Sequence, residues 1–89
     1  MRTEKERFQE IADVIAKNVW GIEKIFLDEF ESDGIDYSYL VVVFKGGGLS
    51  VRNCRYNSVT ANIREVAAML NGGYYREVES YTKLKGDRN

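Results

Sequence analysis

The stretch that most constrains this chain runs from Tyr37 to Tyr56, where Tyr37-Ser-Tyr-Leu-Val-Val-Val-Phe44 and Leu49-Ser-Val-Arg-Asn-Cys-Arg-Tyr56 flank Lys45-Gly46-Gly47-Gly48. Alternate residues of an extended chain point to opposite faces, so Tyr37, Tyr39, Val41 and Val43 share one face and Ser38, Leu40, Val42 and Phe44 the other. From Tyr39 to Phe44 neither face is polar. A strand with one wet face alternates apolar and polar positions. The stretch therefore predicts a β-hairpin whose first strand lies in the middle of a sheet covered on both sides.

The flanking segments supply the remaining elements. Thr3-Glu4-Lys5-Glu6 has the form of a capping box, in which hydroxyl and carboxylate each satisfy the other residue's backbone N–H. It predicts a helix start, followed by a stripe of Phe8, Ile11, Ala12, Ile15 and Val19 at spacings of three and four. Gly21 is the expected C′ stop, and Trp20 before it is expected to close the core as a lid. Ile22 to Glu31 reads as the first strand, with Phe26, Asp28 and Phe30 on one face and Ile25, Leu27, Glu29 and Glu31 on the other. Ser32-Asp33-Gly34 reverses the chain, because Asp-Gly tolerates positive φ at both central positions.

Leu49 to Tyr56 is the third strand, with Leu49 and Val51 opposite Ser50, Arg52 and Cys54. Asn57 or Ser58 caps a second helix with the stripe Val59, Ile63, Val66, Ala67 and Leu70, ended by Asn71-Gly72-Gly73. Tyr74 to Leu84, rich in Tyr, Val and Thr, reads as a last, edge strand. The expected fold is α+β: one small domain over residues 1–89 in the order α-β-β-β-α-β, an antiparallel meander with helices packed on the sheet. With both helices on one face, the other face needs a companion. A homodimer is the simplest expectation.

Composition narrows the chemistry. With no histidine and one cysteine, Cys54, in 89 residues, Cys/His zinc sites, His relays and an intramolecular disulfide are all ruled out. No run reaches the roughly 18 apolar residues of a membrane span. The charged N-terminus has no signal-peptide core, and the expected location is cytoplasmic. Residues 1 to 36 hold ten acids against five bases, a balance of -5, and residues 37 to 89 hold eight bases against four acids, a balance of +4. Such polarity favours head-to-tail or complementary association.

Three clusters are candidate sites. Gly46-Gly47-Gly48 is followed by a strand rather than the helix N-terminus that a phosphate loop requires, so it reads as a hairpin turn. Asp28, Glu29, Glu31, Asp33 and Asp36 lack calcium-loop spacing, since Phe30 interrupts them and Ile35 and Tyr37 offer no ligand. These acids, with Tyr37 and Tyr39, are the expected protein-binding residues, facing a basic partner protein such as one that binds nucleic acid. Cys54, without a histidine to activate it, reads as a small buried hydrophobe. No catalytic residue, cofactor or metal is expected.

Arg52, Arg55, Arg64 and Arg76 form the basic counterpart. The order α-β-β-β-α over residues 3 to 71 resembles that of double-stranded-RNA-binding domains, a resemblance that implies RNA or DNA binding through these arginines as the alternative function. That family carries a lysine cluster at the start of its last helix, where Ser58-Val59-Thr60-Ala61-Asn62-Ile63-Arg64 holds one base. In size and style the chain is also similar to small phage-encoded inhibitors of host defence such as anti-CRISPR proteins. That likeness implies a non-enzymatic module that binds and masks a partner protein.

Overall fold

The computed structural model describes residues 2–72 and 77–86. In chain order these form α1 (Glu4–Asn18), β1 (Ile22–Ser32), β2 (Ile35–Phe44), β3 (Leu49–Asn53), α2 (Val59–Gly72) and α3 (Val78–Gly86). The three strands make one antiparallel sheet in the order β1-β2-β3. The doubly apolar strand β2 is its centre, as its pattern requires.

Local chemistry sets the element boundaries. Thr3 N donates to Glu6 Oε1 at 2.9 Å and Glu6 N donates to Thr3 Oγ1 at 3.1 Å, completing the capping box. Asp33 and Gly34 take φ of 53° and 75° at the β1–β2 turn, the backbone of a two-residue hairpin loop. Ser58 Oγ accepts from Ala61 N and caps α2. The glycine run turns β2 into β3, with Phe44 N donating to Gly48 O at 2.8 Å.

Pairing of Ile22 with Phe44 and of Lys24 with Val43 leaves a bulge at Glu23. An extra residue reverses the facing of what precedes it. Ile22 and Ile25 therefore enter the same core despite their odd spacing. This core, which also holds Phe8, Ala12, Leu40, Val42, Val66 and Met69, lies between the sheet and α1 and α2. The other face carries Phe30, Tyr39, Val41 and Val51 packed against Tyr81 of α3, with Val78 and Leu84 at its margin.

Two expectations change here. The segment expected to end the sheet as a strand, Tyr74 to Leu84, is helical from Val78; residues 74–76 lie outside the described residues. Val78, Tyr81 and Leu84 are three apart and place one stripe on the sheet. The face expected to lack cover is thereby covered by the chain's own α3, so the need for a companion over that face disappears.

Trp20 is the third correction. Helix α1 stops at Asn18 with an extended Val19 as its C-cap, and Gly21, at φ 88°, sits in a tight turn closed by Ile22 N donating to Val19 O. A turn with positive φ at its third position requires glycine there, and it leaves the second residue at the corner. Trp20 occupies that corner and is 96% exposed rather than buried in the core.

Candidate functional site

The β1–β2 hairpin brings most of the acidic residues together but divides them between two faces. Glu29 and Glu31 on β1 lie opposite Ser38 and Asp36 on β2, respectively, on the face that carries α1 and α2. With Lys5, Arg55 and Tyr56 these residues line a cleft of about 550 Å³, to which Phe30 and Tyr37 contribute at the edge. The loop after β3 is fixed against the hairpin, because Cys54 N donates to Ser38 O at 3.0 Å and Ser38 Oγ donates to Cys54 O at 2.8 Å.

Charge within the cleft is only partly compensated. Lys5 Nζ donates to Glu29 Oε1 at 2.7 Å, and its ammonium also sits 5.8 Å from the centre of the Tyr56 ring. Tyr56 donates in turn to Glu4. Burial, and then this bond to a carboxylate, push the Tyr56 hydroxyl above its ordinary range. Glu31 and Asp36 face each other directly, and like charges in that position repel. Neither has an ion-pair partner among the described residues, and Asp33 stands beside them at the tip.

Asp28 and Tyr39, both expected at a binding surface, serve the interior instead. Asp28 Oδ2 accepts from the Tyr81 hydroxyl at 2.8 Å and pairs with Lys85 Nζ at 3.0 Å, joining α3 to β1. Burial, followed by the bond to Asp28, raises the Tyr81 hydroxyl far above its ordinary range. Tyr39 is buried beneath α3, with its ring 5.3 Å from that of Tyr81. Burial, then Tyr37 and Glu77, hold its hydroxyl high. Tyr37 is half-buried and stacks on Phe30 at 5.6 Å.

The arginines of the alternative reading do not form one basic surface. Arg52 Nε pairs with Glu65 at 3.3 Å, Arg55 lines the acidic cleft, and Arg64 is exposed on α2. Arg76 lies outside the described residues. Cys54 is half-buried beside Asn62, and burial, then Glu65, raises its thiol above its ordinary range. Among the described residues no group of three or more Cys, Asp or Glu side chains is arranged to hold a metal ion, and no helix is long and apolar enough to cross a membrane.

Sequence reading missed three contributors. Lys5 and Tyr56 enter the cleft only because α1 and the loop after β3 converge on the hairpin. Asn62 is buried in α2, where its Oδ1 accepts from Asn57 N at 2.8 Å and Ser58 N at 3.2 Å and its Nδ2 donates to Arg55 O at 3.4 Å. One amide thus ties down the loop carrying Arg55 and Tyr56. An asparagine on an otherwise apolar helix stripe was the available signal.

Comparison with models of protein families, with curated proteins and with solved structures finds no match for this chain.

Proposed function

We propose that the protein is a non-enzymatic binding module that uses the acidic end of its β1–β2 hairpin to occupy and mask a basic groove on a partner protein, in the manner of small anti-CRISPR inhibitors. The observation that carries this reading is the apposition of Glu31 and Asp36, neither with an ion-pair partner among the described residues, in a cleft whose walls are held by backbone hydrogen bonds. Keeping like charges opposite each other costs stability, and a cationic partner converts that cost into attraction. A rigid concave frame loses little conformational entropy on binding. The surface expected to bind is thus revised: Glu29, Glu31, Asp33 and Asp36 with the Tyr37 edge form it, and Asp28 and Tyr39 support it from beneath.

An arginine-rich peptide is the simplest probe. Fluorescence anisotropy should detect binding at low ionic strength that weakens as salt is added, because exposed charges are screened within a Debye length of about 10 Å at 0.1 M. The double variant Glu31→Lys/Asp36→Lys should bind at least about tenfold more weakly, a loss of about 1.4 kcal/mol, with an unchanged melting temperature. Equal binding by the variant overturns the assignment. A mobility-shift titration with RNA and DNA tests the arginines independently, since phosphate binding falls steeply with salt.

A further inference from the structure

The three-stranded sheet leaves β1 at one edge. Opposite residues of an antiparallel pair alternate between exchanging both backbone hydrogen bonds and exchanging none, and the pair that closes a two-residue hairpin loop exchanges both. Ser32 and Ile35 close the loop here. Counting back from them, Phe30, Asp28 and Phe26 bond to β2, while the N–H and C=O groups of Glu31, Glu29, Leu27 and Ile25 point away from it. Two bonds agree with this count. Ser38, opposite Glu29, turns its carbonyl the other way and accepts from Cys54 N at 3.0 Å, and the Ile25 carbonyl accepts from Gln9 Nε2 of α1 at 2.7 Å. The bulge at Glu23 and the Gln9 bond guard the start of this edge, as edge strands are commonly guarded. Further along it lies open: among the described residues, no hydrogen bond from outside the ladder reaches the backbone of Leu27, Glu29 or Glu31.

An open edge of this kind pairs with an extended segment, whose main chain supplies affinity and whose alternate side chains supply selectivity. Charge decides which segment fits. Glu29 and Glu31 are exposed beside the open groups, on the face that carries α1. Lys5 pairs with Glu29, whereas Glu31 has no ion-pair partner among the described residues. Pairing the whole stretch from Leu27 to Glu31 with its counterpart in a second copy sets Glu29 against Glu29, and like charges directly opposite are destabilising. The same acids favour a strand with Arg or Lys at alternate positions. We infer that the partner meets this protein with an extended basic segment, which adds antiparallel to the outer edge of β1 and sets its cationic side chains beside Glu29 and Glu31. The inference rests on the partner-binding reading above and specifies the element that the partner contributes: a strand, recognised through its backbone as well as its charge. Directly opposed residues of such a pair share a face, so the residues bonded to Leu27, Glu29 and Glu31 are the basic ones.

Peptides of alternating Arg and Val separate backbone pairing from charge. N-methylation of the arginines removes the N–H groups that bond to β1, N-methylation of the valines removes those that point to solvent, and both peptides keep every charge. In fluorescence anisotropy at low salt, the valine-methylated peptide should bind about as tightly as the parent, and the arginine-methylated one at least about tenfold more weakly, for the loss of several hydrogen bonds. In the peptide-saturated protein, the amides of Leu27, Glu29 and Glu31, fast to exchange when free, should become protected from hydrogen exchange. Those of Phe26, Asp28 and Phe30 should be protected throughout. An arginine-methylated peptide that binds no more weakly than the valine-methylated one, or unprotected Leu27, Glu29 and Glu31 amides in the complex, overturns strand addition and leaves the charge-based reading standing. Absence of binding by the parent peptide overturns both. Protection of the same three amides that rises with protein concentration in the absence of peptide makes a second copy the occupant and overturns the inference as well.

Discussion

Against α1 and α2 the sheet presents Ile25, Leu40 and Val42, side chains without a polar atom, in a core closed by Phe8, Val66 and Met69. Against α3 it presents Phe30 and Tyr39, rings packed on Tyr81, with an Asp28–Tyr81–Lys85 bridge at the margin. Lys85 also sits 4.9 Å from the centre of the Phe30 ring. The first face is held by non-directional burial that two helices of 15 and 14 residues share. The second depends on one 9-residue helix and on contacts with preferred geometry. A short helix held by few directional contacts should separate before the core does.

That contrast is open to direct attack. Phe30→Ala removes the ring at the centre of the aromatic face and should cost about 3–5 kcal/mol, and Leu40→Ala on the opposite face about 2–5 kcal/mol. Magnitude alone does not distinguish the faces, but hydrogen exchange does. Phe30→Ala should accelerate exchange in α3 ahead of β2, whereas Leu40→Ala should accelerate all elements together. Uniform acceleration in both variants would mean that the two faces unfold as one unit.

Tyr81→Phe sharpens the comparison by keeping the ring and deleting only the bond to Asp28. A hydrogen bond to a charged group contributes about 1.5–3 kcal/mol, so a loss within that range, read from denaturant midpoints, is expected. The same residue sets a pH window. Because the fold favours the neutral phenol, the unfolded chain ionises first, near pH 10. The contribution is intact below that pH and is lost as pH rises toward the higher folded value. Alkaline denaturation should begin near pH 10 and be shallower in Tyr81→Phe, with Tyr39 and Tyr56 supplying the remainder.

Asn62→Ala tests the polar clamp behind the first face. It leaves the N–H groups of Asn57 and Ser58 without their acceptor and should cost about 1–3 kcal/mol, together with faster exchange at those two amides. Thr3→Ala has the smallest effect, about 1 kcal/mol for a lost N-cap. Its partner Glu6 has a carboxyl held below the ordinary range by the Thr3 backbone and side chain. The capping contribution is therefore present above the ordinary glutamate value and lost as pH falls through the lower folded one. Thr3→Ala keeps the backbone N–H that donates to the Glu6 carboxylate, so it should lose this contribution in acid as wild type does, whereas Glu6→Ala should show no such loss.

Much of this architecture was written in short-range patterns. Thr3 and Glu6, Asp33-Gly34 and Ser58 each act on backbone within a few residues, so their roles follow from spacing alone. The apolar run of β2 required a central position, and its alternation divided the side chains between the two faces that the structure displays. The candidate site was legible in part: Glu29, Glu31, Asp33 and Asp36 do share one end of the hairpin, whereas Asp28 and Tyr39 turn toward α3.

What only the tertiary structure decided has a common physical cause. Val78, Tyr81 and Leu84 suit the face of a helix while their neighbours suit a strand, and a segment this short is assigned by the surface available to it. An uncovered aromatic sheet face selected the helix. Trp20 lies outside the core because a positive-φ glycine ends the approach to β1 in a turn, a backbone constraint that outweighs the hydrophobicity of the indole. Lys17, Lys24 and Lys45 become neighbours, beside Asp13 and Glu23, only when α1, β1 and β2 meet. Local bonding specifies where elements begin and turn, and long-range burial specifies which surfaces remain to meet another molecule.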